Sequence, residues 1–318
     1  MLLADNLGAC CSIDETSLCN EVYTIVFNKA GHGKKGSVIA IVKRTKANVV
    51  SAVLKKIPET EREKVTEITM DFSDSMFSIA KQCFPKTTIV IDCFHIVQRL
   101  CEGLEEMRLR FKRLAVAESR KEAAAFAQDE DRKAKQRAYY RKKHPRNKKE
   151  RRGRKRMRKQ KYKPTLLTNG ETKVEMLTRS RNMLAQSGDK WGDSKKERAR
   201  ILFGQYPQMK EAYSLICKVR ATFKSHIIRK EAKEKLHEWY KEVNACTLRE
   251  IKTARNTIKG KEECVLNYFL NRSTNAAAES LNSKIKGFRA QLHGIADIPF
   301  FLYLSLIHIS EPTRRTPI

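Results

Sequence analysis

Glu279 is the one acid in a stretch of amides, alanines and lysines, Thr274-Asn275-Ala276-Ala277-Ala278-Glu279-Ser280-Leu281-Asn282-Ser283-Lys284-Ile285-Lys286. Two aspartates far upstream interrupt or close strand-like runs: Asp14 in Ser12-Ile13-Asp14-Glu15-Thr16, and Asp71 in Ile68-Thr69-Met70-Asp71. Separated carboxylates of this kind suit metal-assisted phosphoryl transfer. There, two divalent cations about 3.5–4 Å apart activate the attacking oxygen and stabilise the leaving one. Magnesium takes hard oxygen ligands and keeps several waters, so a few acids suffice. In that chemistry Asp14 would bridge both ions, while Asp71 and Glu279 would each complete one side. An unpaired charge in the middle of a strand is costly to bury, which favours a functional place for Asp14.

Asp92-Cys93-Phe94-His95 is a second constellation. An acid and an imidazole three apart meet on the first turn of a helix. The pair either contacts metal or orients the site; otherwise Asp92 caps the helix over a packed His95. Asp92 also rivals Asp71 for the second acidic position, and Asp74 is a weaker rival. Around Glu279, at about 100° per residue, Leu281, Ile285 and Phe288 fall opposite the acid, and Asn282 and Lys286 share its face. Packing the apolar side leaves Glu279, Asn282 and Lys286 toward a cleft or toward water. No nucleophile elbow, P-loop or dinucleotide glycine fingerprint is present.

Holding these acids together takes a sheet. Apolar, β-branched runs at 11–19, 22–27 and 37–42 predict three strands, with Gly31, Gly33 and Gly36 in the second connection. Val49, Val50, Val53, Leu54 and Ile57 predict a helix over 45–57. A strand over 65–71, a helix over 75–83 ending before Pro85, and a doubly buried strand over 87–92 follow. This order, three strands and then alternating units, is the core order of the ribonuclease H-like fold. Ligands of open α/β sheets sit beyond the carboxyl ends of strands, where Asp71 and Asp92 both lie. From Phe94 to Phe288 only helical patterns occur, including 201–223 and 227–243, the latter with Leu236, Trp239, Tyr240 and Val243.

The 318 residues are 41% hydrophobic and carry a net charge of +30. Such a chain buries a core and takes a polyanion as partner. Residues 132–163 hold nineteen Lys and Arg against Glu150 alone, which is +18 of the total. This arm, with Arg151, Arg152, Arg154, Lys155 and Arg156, suits phosphate contact. Tyr139, Tyr140 and Tyr162 are placed to stack on bases. Nine scattered cysteines without a CxxC pair argue for reduced thiols. No apolar run is long enough to span a bilayer, and no secretory signal opens the chain. Leu304 onward, through Glu311-Pro312-Thr313-Arg314, matches a translated sequencing adaptor, so 304–318 is set aside as non-native and the native chain is expected to continue past Tyr303.

Four strings in order resemble the DDE transposases of the ISL-three insertion-sequence group: 12–16, 69–73, 90–97 and 273–286. Arg179-Ser180-Arg181 through Trp191, Glu197 to Phe203, and Leu236-His237-Glu238-Trp239-Tyr240 fit the same family, and the likeness runs from about residue 10 to 303. The resemblance implies an α/β, ribonuclease H-like mixed sheet with a long, basic, all-helical insertion. The core would occupy 10–115 and 266–303, and the insertion 116–265, with its basic arm at 132–163. The implied activity is magnesium- or manganese-dependent cleavage at transposon ends and strand transfer into target DNA, with two ions. Asp14, Asp71 and Glu279 would be the catalytic, metal-holding acids, and Asp92 and His95 would support them as an acid-x-x-His signature. Asn282, Lys284, Lys286 and Arg289 would line the DNA. A homodimer or larger assembly on DNA, in the bacterial cytoplasm at the nucleoid and away from membranes, is also implied. Family members carry an N-terminal zinc-binding and helix-turn-helix region that this sequence lacks, so it reads as a fragment. Two alternatives remain at this point: a non-catalytic nucleic-acid-binding protein, and a structure-specific nuclease of the same fold.

Overall fold

The computed structural model describes residues 1–18, 20–32, 34, 36–144, 161–292 and 297–310. They form two compact units, one made of Met1–Leu100 with Lys218–Ile318, the other of Cys101–Cys217.

The first unit is built on a five-stranded sheet of β1 (Cys10–Leu18), β2 (Glu21–Asn28), β3 (Val38–Lys43), β4 (Glu67–Met70) and β5 (Thr88–Ile91). Its order is β3-β2-β1-β4-β5. The first three strands run antiparallel, with Asp14 opposite Ile25. Asn20, at φ +62, supports the tight return from β1 to β2, a left-handed conformation that asparagine tolerates. Gly36, at φ +84, makes the return into β3, where a Cβ would be strained. β4 runs parallel to β1, and β5 parallel to β4. Parallel neighbours need crossovers. Here α1 (Ala47–Leu54) and α2 (Glu59–Arg62) lead from β3 to β4, and α3 (Asp74–Cys83) leads from β4 to β5. β4 is buried along its whole length and β5 over its last three residues, as strands covered on both faces are.

α4 (Cys93–Lys143) leaves β5 as a single 51-residue helix, and its exposed final turns carry the first part of the basic arm. Arg151, Arg152, Arg154, Lys155 and Arg156 lie outside the described residues. The second unit continues with α5 (Lys173–Arg179), α6 (Arg181–Ala185), α7 (Asp193–Gln205) and the part of α8 (Pro207–Lys224) up to Cys217. Thr172 and Glu175 close a reciprocal capping box on α5. Trp191 stacks on Tyr213 at 5.1 Å between ring centroids. Glu171, 6% exposed, pairs with Arg179 at 2.9 Å and Arg198 at 2.8 Å, and these guanidiniums hold its carboxyl down at about 2. The single helix expected over 201–223 is two helices that break at Tyr206. Pro207 takes the first position of α8, where its missing N–H is not needed, and cannot continue α7.

The first unit resumes at Lys218 within α8 and goes on with α9 (Arg229–Ala245), α10 (Arg249–Gly260), α11 (Glu262–Leu266), α12 (Tyr268–Asn271), α13 (Ala276–Gln291) and α14 (Ile298–Ser310). α9 and α10 therefore belong with the sheet, although the 116–265 insertion read from sequence includes them, and α11 straddles its end. α11 packs on β5, and Asn267 Nδ2 donates to the Ile89 carbonyl at 2.8 Å. α13 and α14 cover the antiparallel strands: Ala278, Leu281, Ile285, Phe301 and Leu302 join Leu18, Tyr23, Ile25, Phe27, Val38 and Ile41 in one buried cluster. α14 continues through 304–310, part of the stretch set aside from sequence. Among the described residues, no helix is long and apolar enough to cross a membrane, and eight cysteines are free thiols.

Candidate active site

The sheet register brings three aspartates level. Ser12 faces Thr69 on the parallel neighbour, and Thr69 faces Val90 on the next strand. Two residues further along each chain stand Asp14, Asp71 and Asp92. Because side chains alternate along a strand, positions two apart share a face. Asp14 lies within β1, whereas Asp71 and Asp92 each follow the last residue of a short strand. Three acids thus stand at or near the carboxyl ends of adjacent strands.

Each acid is held differently. Asp14 is half-buried. Its Oδ1 accepts from the Glu15 N–H at 2.8 Å, and its Oδ2 from Asn282 Nδ2 at 2.6 Å. Burial pushes its carboxyl above the usual aspartate range. The Glu15 N–H and His95 pull it down, and the charges of Asp71 and Glu279 push it up further. These four partners are therefore close enough to act on one carboxyl. Asp71 accepts the Ser73 N–H at 2.6 Å. The loop behind it is tied by Lys261, whose Nζ donates to the Phe72 carbonyl at 2.7 Å and pairs with Asp74 at 2.7 Å. Asp92 is 2% exposed and spends both oxygens on backbone N–H groups, Phe94 at 3.1 Å and Asn275 at 2.9 Å. It caps α4 and ties the start of α13 to the end of β5. Glu15, next to Asp14 and largely exposed, has its own carboxyl raised by partial desolvation and by the charges of Asp71 and Asp14.

α13 delivers Glu279. Its apolar side, Leu281, Ile285 and Phe288, packs on the sheet as the helical spacing predicts, and Glu279 is exposed on the other side. Asp92, His95 and Glu279 each offer one ligand atom, all within 4.8 Å of one another. Asp92 and His95 thus meet on the first turn of α4 and reach Glu279. Lys284 and Lys286 are exposed and Arg289 is half-buried. Asn282, expected toward DNA, is instead 8% exposed and bonded to Asp14. A helical wheel gives the direction of a side chain but not its depth. Asn275, Ser12 and Lys261 were not singled out from sequence. The visible signal for Asn275 was its spacing of seven from Asn282, with Glu279 between them.

Carboxylate oxygens and one imidazole converging at the strand ends make a donor set for a divalent cation. They gather like charges whose mutual repulsion already shows at Asp14. No curated protein and no solved structure matches the chain. A transposase family, the DDE enzymes of the ISL-three group, matches residues 11–304. That span contains Asp92, His95 and Glu279, whose ligand atoms group together, and also Asp14 and Asp71, which fall outside that group, and family membership carries with it divalent-metal use and DNA as substrate. With the match covering nearly the whole sequence, this chain belongs to the ISL-three DDE transposase family and functions as a DDE transposase.

Proposed function

We propose that Asp14, Asp71 and Glu279 are the catalytic acids of a ribonuclease H-like core that cuts DNA at transposon ends and joins the freed 3′-hydroxyl to target DNA. The observation that carries the reading is the contact between Asp14 on β1 and Asn282 on α13, one turn beyond Glu279. It brings residues far apart in sequence to one place. The strand order β3-β2-β1-β4-β5, three antiparallel strands followed by two parallel ones, supports the ribonuclease H-like assignment.

Asp92, His95 and Glu279 form the grouped donor set, which suits divalent magnesium or manganese; in this reading Asp14, Asp71 and Glu279 would hold two ions, with Asp92 and His95 in support. When bound, such ions polarise the phosphate and lower the pKa of the attacking water or hydroxyl. The chain's own residues do the rest. Asp14 and Asp71 present carboxylates fixed by the Glu15 and Ser73 N–H groups. His95 lies with Asp92 and Glu279, available to steady Glu279, and is close enough to lower the Asp14 carboxyl. Lys284, Lys286 and Arg289 on α13 hold the DNA backbone near Glu279, and the basic arm at 132–163 adds contacts that do not read sequence. Assembly as a homodimer or larger on DNA, in the bacterial cytoplasm at the nucleoid, fits a reaction that must handle two transposon ends.

The test is nicking of supercoiled plasmid in magnesium, with binding followed separately by gel shift. Asp14→Ala, Asp71→Ala and Glu279→Ala are each expected to lose nicking by more than about 100-fold while still binding DNA. Normal nicking by Glu279→Ala overturns the assignment. Normal nicking by Asp71→Ala with loss in Asp92→Ala transfers the second position to Asp92.

A further inference from the structure

We propose that Asn275 and Asn282 are positioning residues, a pair of amides that sets helix α13 in register on strand β1 and so fixes Glu279 relative to Asp14. The inference rests on reading Asp14 and Glu279 as catalytic acids, and it adds how their spacing is set.

Asn275 and Asn282 are seven residues apart, about two helical turns, and therefore share a face. Glu279 lies between them, four residues after the first and three before the second. On β1, Ser12 and Asp14 are two apart and also share a face. The two pairs meet: the Ser12 hydroxyl donates to the Asn275 amide oxygen, and Asn282 Nδ2 donates to Asp14 Oδ2 at 2.6 Å. Ser12 Oγ also reaches the Thr69 carbonyl at 3.2 Å, which brings β4 into the arrangement. The Asn275 N–H adds a third tie, to Asp92 Oδ2 at 2.9 Å. The Glu279 N–H in turn donates to the Asn275 carbonyl at 3.0 Å, so the acid is anchored to the clamp through its own backbone.

The apolar side of α13 cannot do this work. Ala278, Leu281 and Ile285 decide which face turns inward, but hydrophobic contact is not directional. Hydrogen bonds have narrow geometry, and two of them seven residues apart stop the helix from sliding or turning. Both amides are almost fully buried, at 1% and 8% exposed. Among the described residues, Asn275 Nδ2 and Asn282 Oδ1 have no partner. A buried polar atom without a partner weakens a fold, so packing alone does not explain two asparagines at these positions. Asn282 also acts as a donor to Asp14, a role that only an ionised or acceptor carboxyl satisfies.

The test compares Asn282→Ala, Asn282→Asp, Asn275→Ala and Ser12→Ala in the whole chain, with Asp14→Ala and Glu279→Ala as controls. Plasmid nicking gives kcat and KM, gel shift gives DNA affinity, and electron paramagnetic resonance titration with manganese alone gives ion binding without DNA. A misplacement of about 1 Å costs on the order of 100-fold in rate. Asn282→Ala is therefore expected to lower kcat by about 10- to 100-fold, with KM and DNA affinity unchanged and manganese affinity reduced. Asn282→Asp, which sets a second carboxylate against Asp14, is expected to be worse than Ala in kcat. Ser12→Ala tests the Asn275 tie should Asn275→Ala not fold. A rise in KM or weaker DNA binding in Asn282→Ala, with kcat kept, would mean that Asn282 lines the DNA and would overturn the proposal. So would wild-type kcat and manganese affinity in both Asn282→Ala and Ser12→Ala. If Asp14→Ala and Glu279→Ala themselves nick normally, the assignment of the acids has failed. If they are dead while the amide variants behave as wild type, only the clamp has failed.

Discussion

Asp14 carries its charge where the surroundings resist it. Burial, Asp71 and Glu279 together raise its carboxyl above the ordinary range, against the pull of the Glu15 N–H and His95. A carboxyl with a raised folded pKa favours the folded state while protonated. That contribution is complete below the unfolded pKa, near 4 as a typical value, and is lost as pH rises through the folded value. At neutral pH without metal, the folded protein therefore holds an unfavourable charge. Asp14→Asn, which keeps the shape and removes the charge, is expected to raise the metal-free melting temperature at pH 7.5. The gain should shrink as pH falls through the range where Asp14 protonates. Manganese should stabilise the wild type more than the variant. Differential scanning fluorimetry across pH checks this, and a variant that melts below wild type at pH 7.5 refutes the electrostatic account. Asp92 makes the opposite case. Its two oxygens already satisfy the Phe94 and Asn275 N–H groups, so Asp92→Ala leaves the buried Asn275 N–H unpaired and removes the cap of α4. The expected loss is about 2–4 kcal/mol in urea unfolding. Asp71→Ala, which gives up one N–H bond at a half-buried position, is expected to cost about 1 kcal/mol. Equal costs would show that Asp92 is not the tie its contacts suggest.

The Asp71 loop depends on an element that follows it by almost two hundred residues. Lys261, at the start of α11, holds the Phe72 carbonyl and Asp74. Asp74 is nearly all in water, so that ion pair contributes little. The bond to the carbonyl is the one that fixes the loop. Lys261→Met keeps the stem and loses both contacts. It is expected to raise hydrogen exchange at residues 71–76 and to slow nicking about tenfold, a positioning-scale effect, while the melting temperature stays nearly constant. Unchanged exchange in that segment would rule out the tie. This link was invisible in the sequence, because nothing in the local pattern at 261 points to residue 72. The elements themselves were largely legible. β-Branched runs marked all five strands, since a buried strand must be apolar along its length, and helical spacing marked α1, α3 and the apolar side of α13. α2 was missed because four residues hold too little periodicity to read. The break at Tyr206 was missed because apolar spacing continues across it, and only Pro207 at the first position of α8 betrays it. Of the site, the acids at strand ends could be read because the period-2 register carries them to one edge. The burial of Asn282 and the role of Asn275 depend on how deep α13 sits on β1, which no single element determines.

Charge is spread unevenly over the whole molecule. Of the net +30, +18 falls in 132–163, leaving +12 for the other 286 residues. α4 carries Arg141, Lys142 and Lys143 at its exposed end, beside the exposed rings of Tyr139 and Tyr140. DNA binding by such a segment is driven by release of counterions, and the logarithm of affinity falls with the logarithm of salt at about 0.9 per phosphate neutralised. Replacing Arg151, Arg152, Arg154, Lys155 and Arg156 with glutamine removes five charges. The slope should then become shallower by up to about 4.5, and binding should weaken equally on all sequences, because phosphate contacts do not distinguish bases. At saturating DNA, kcat should be unchanged, since none of the five is among the convergent acids or their partners. Lys286→Gln should behave differently. It lies on α13, seven residues after Glu279 and exposed, so it should change the slope by no more than about 1 and lower kcat by displacing the phosphate near the acids. Fluorescence anisotropy over a salt series, paired with nicking at saturating DNA, separates the two. A fivefold-neutralised arm with the wild-type slope would mean that its charge only faces solvent. The affinity would then have to come from the smaller positive charge of the rest of the chain, α13 included.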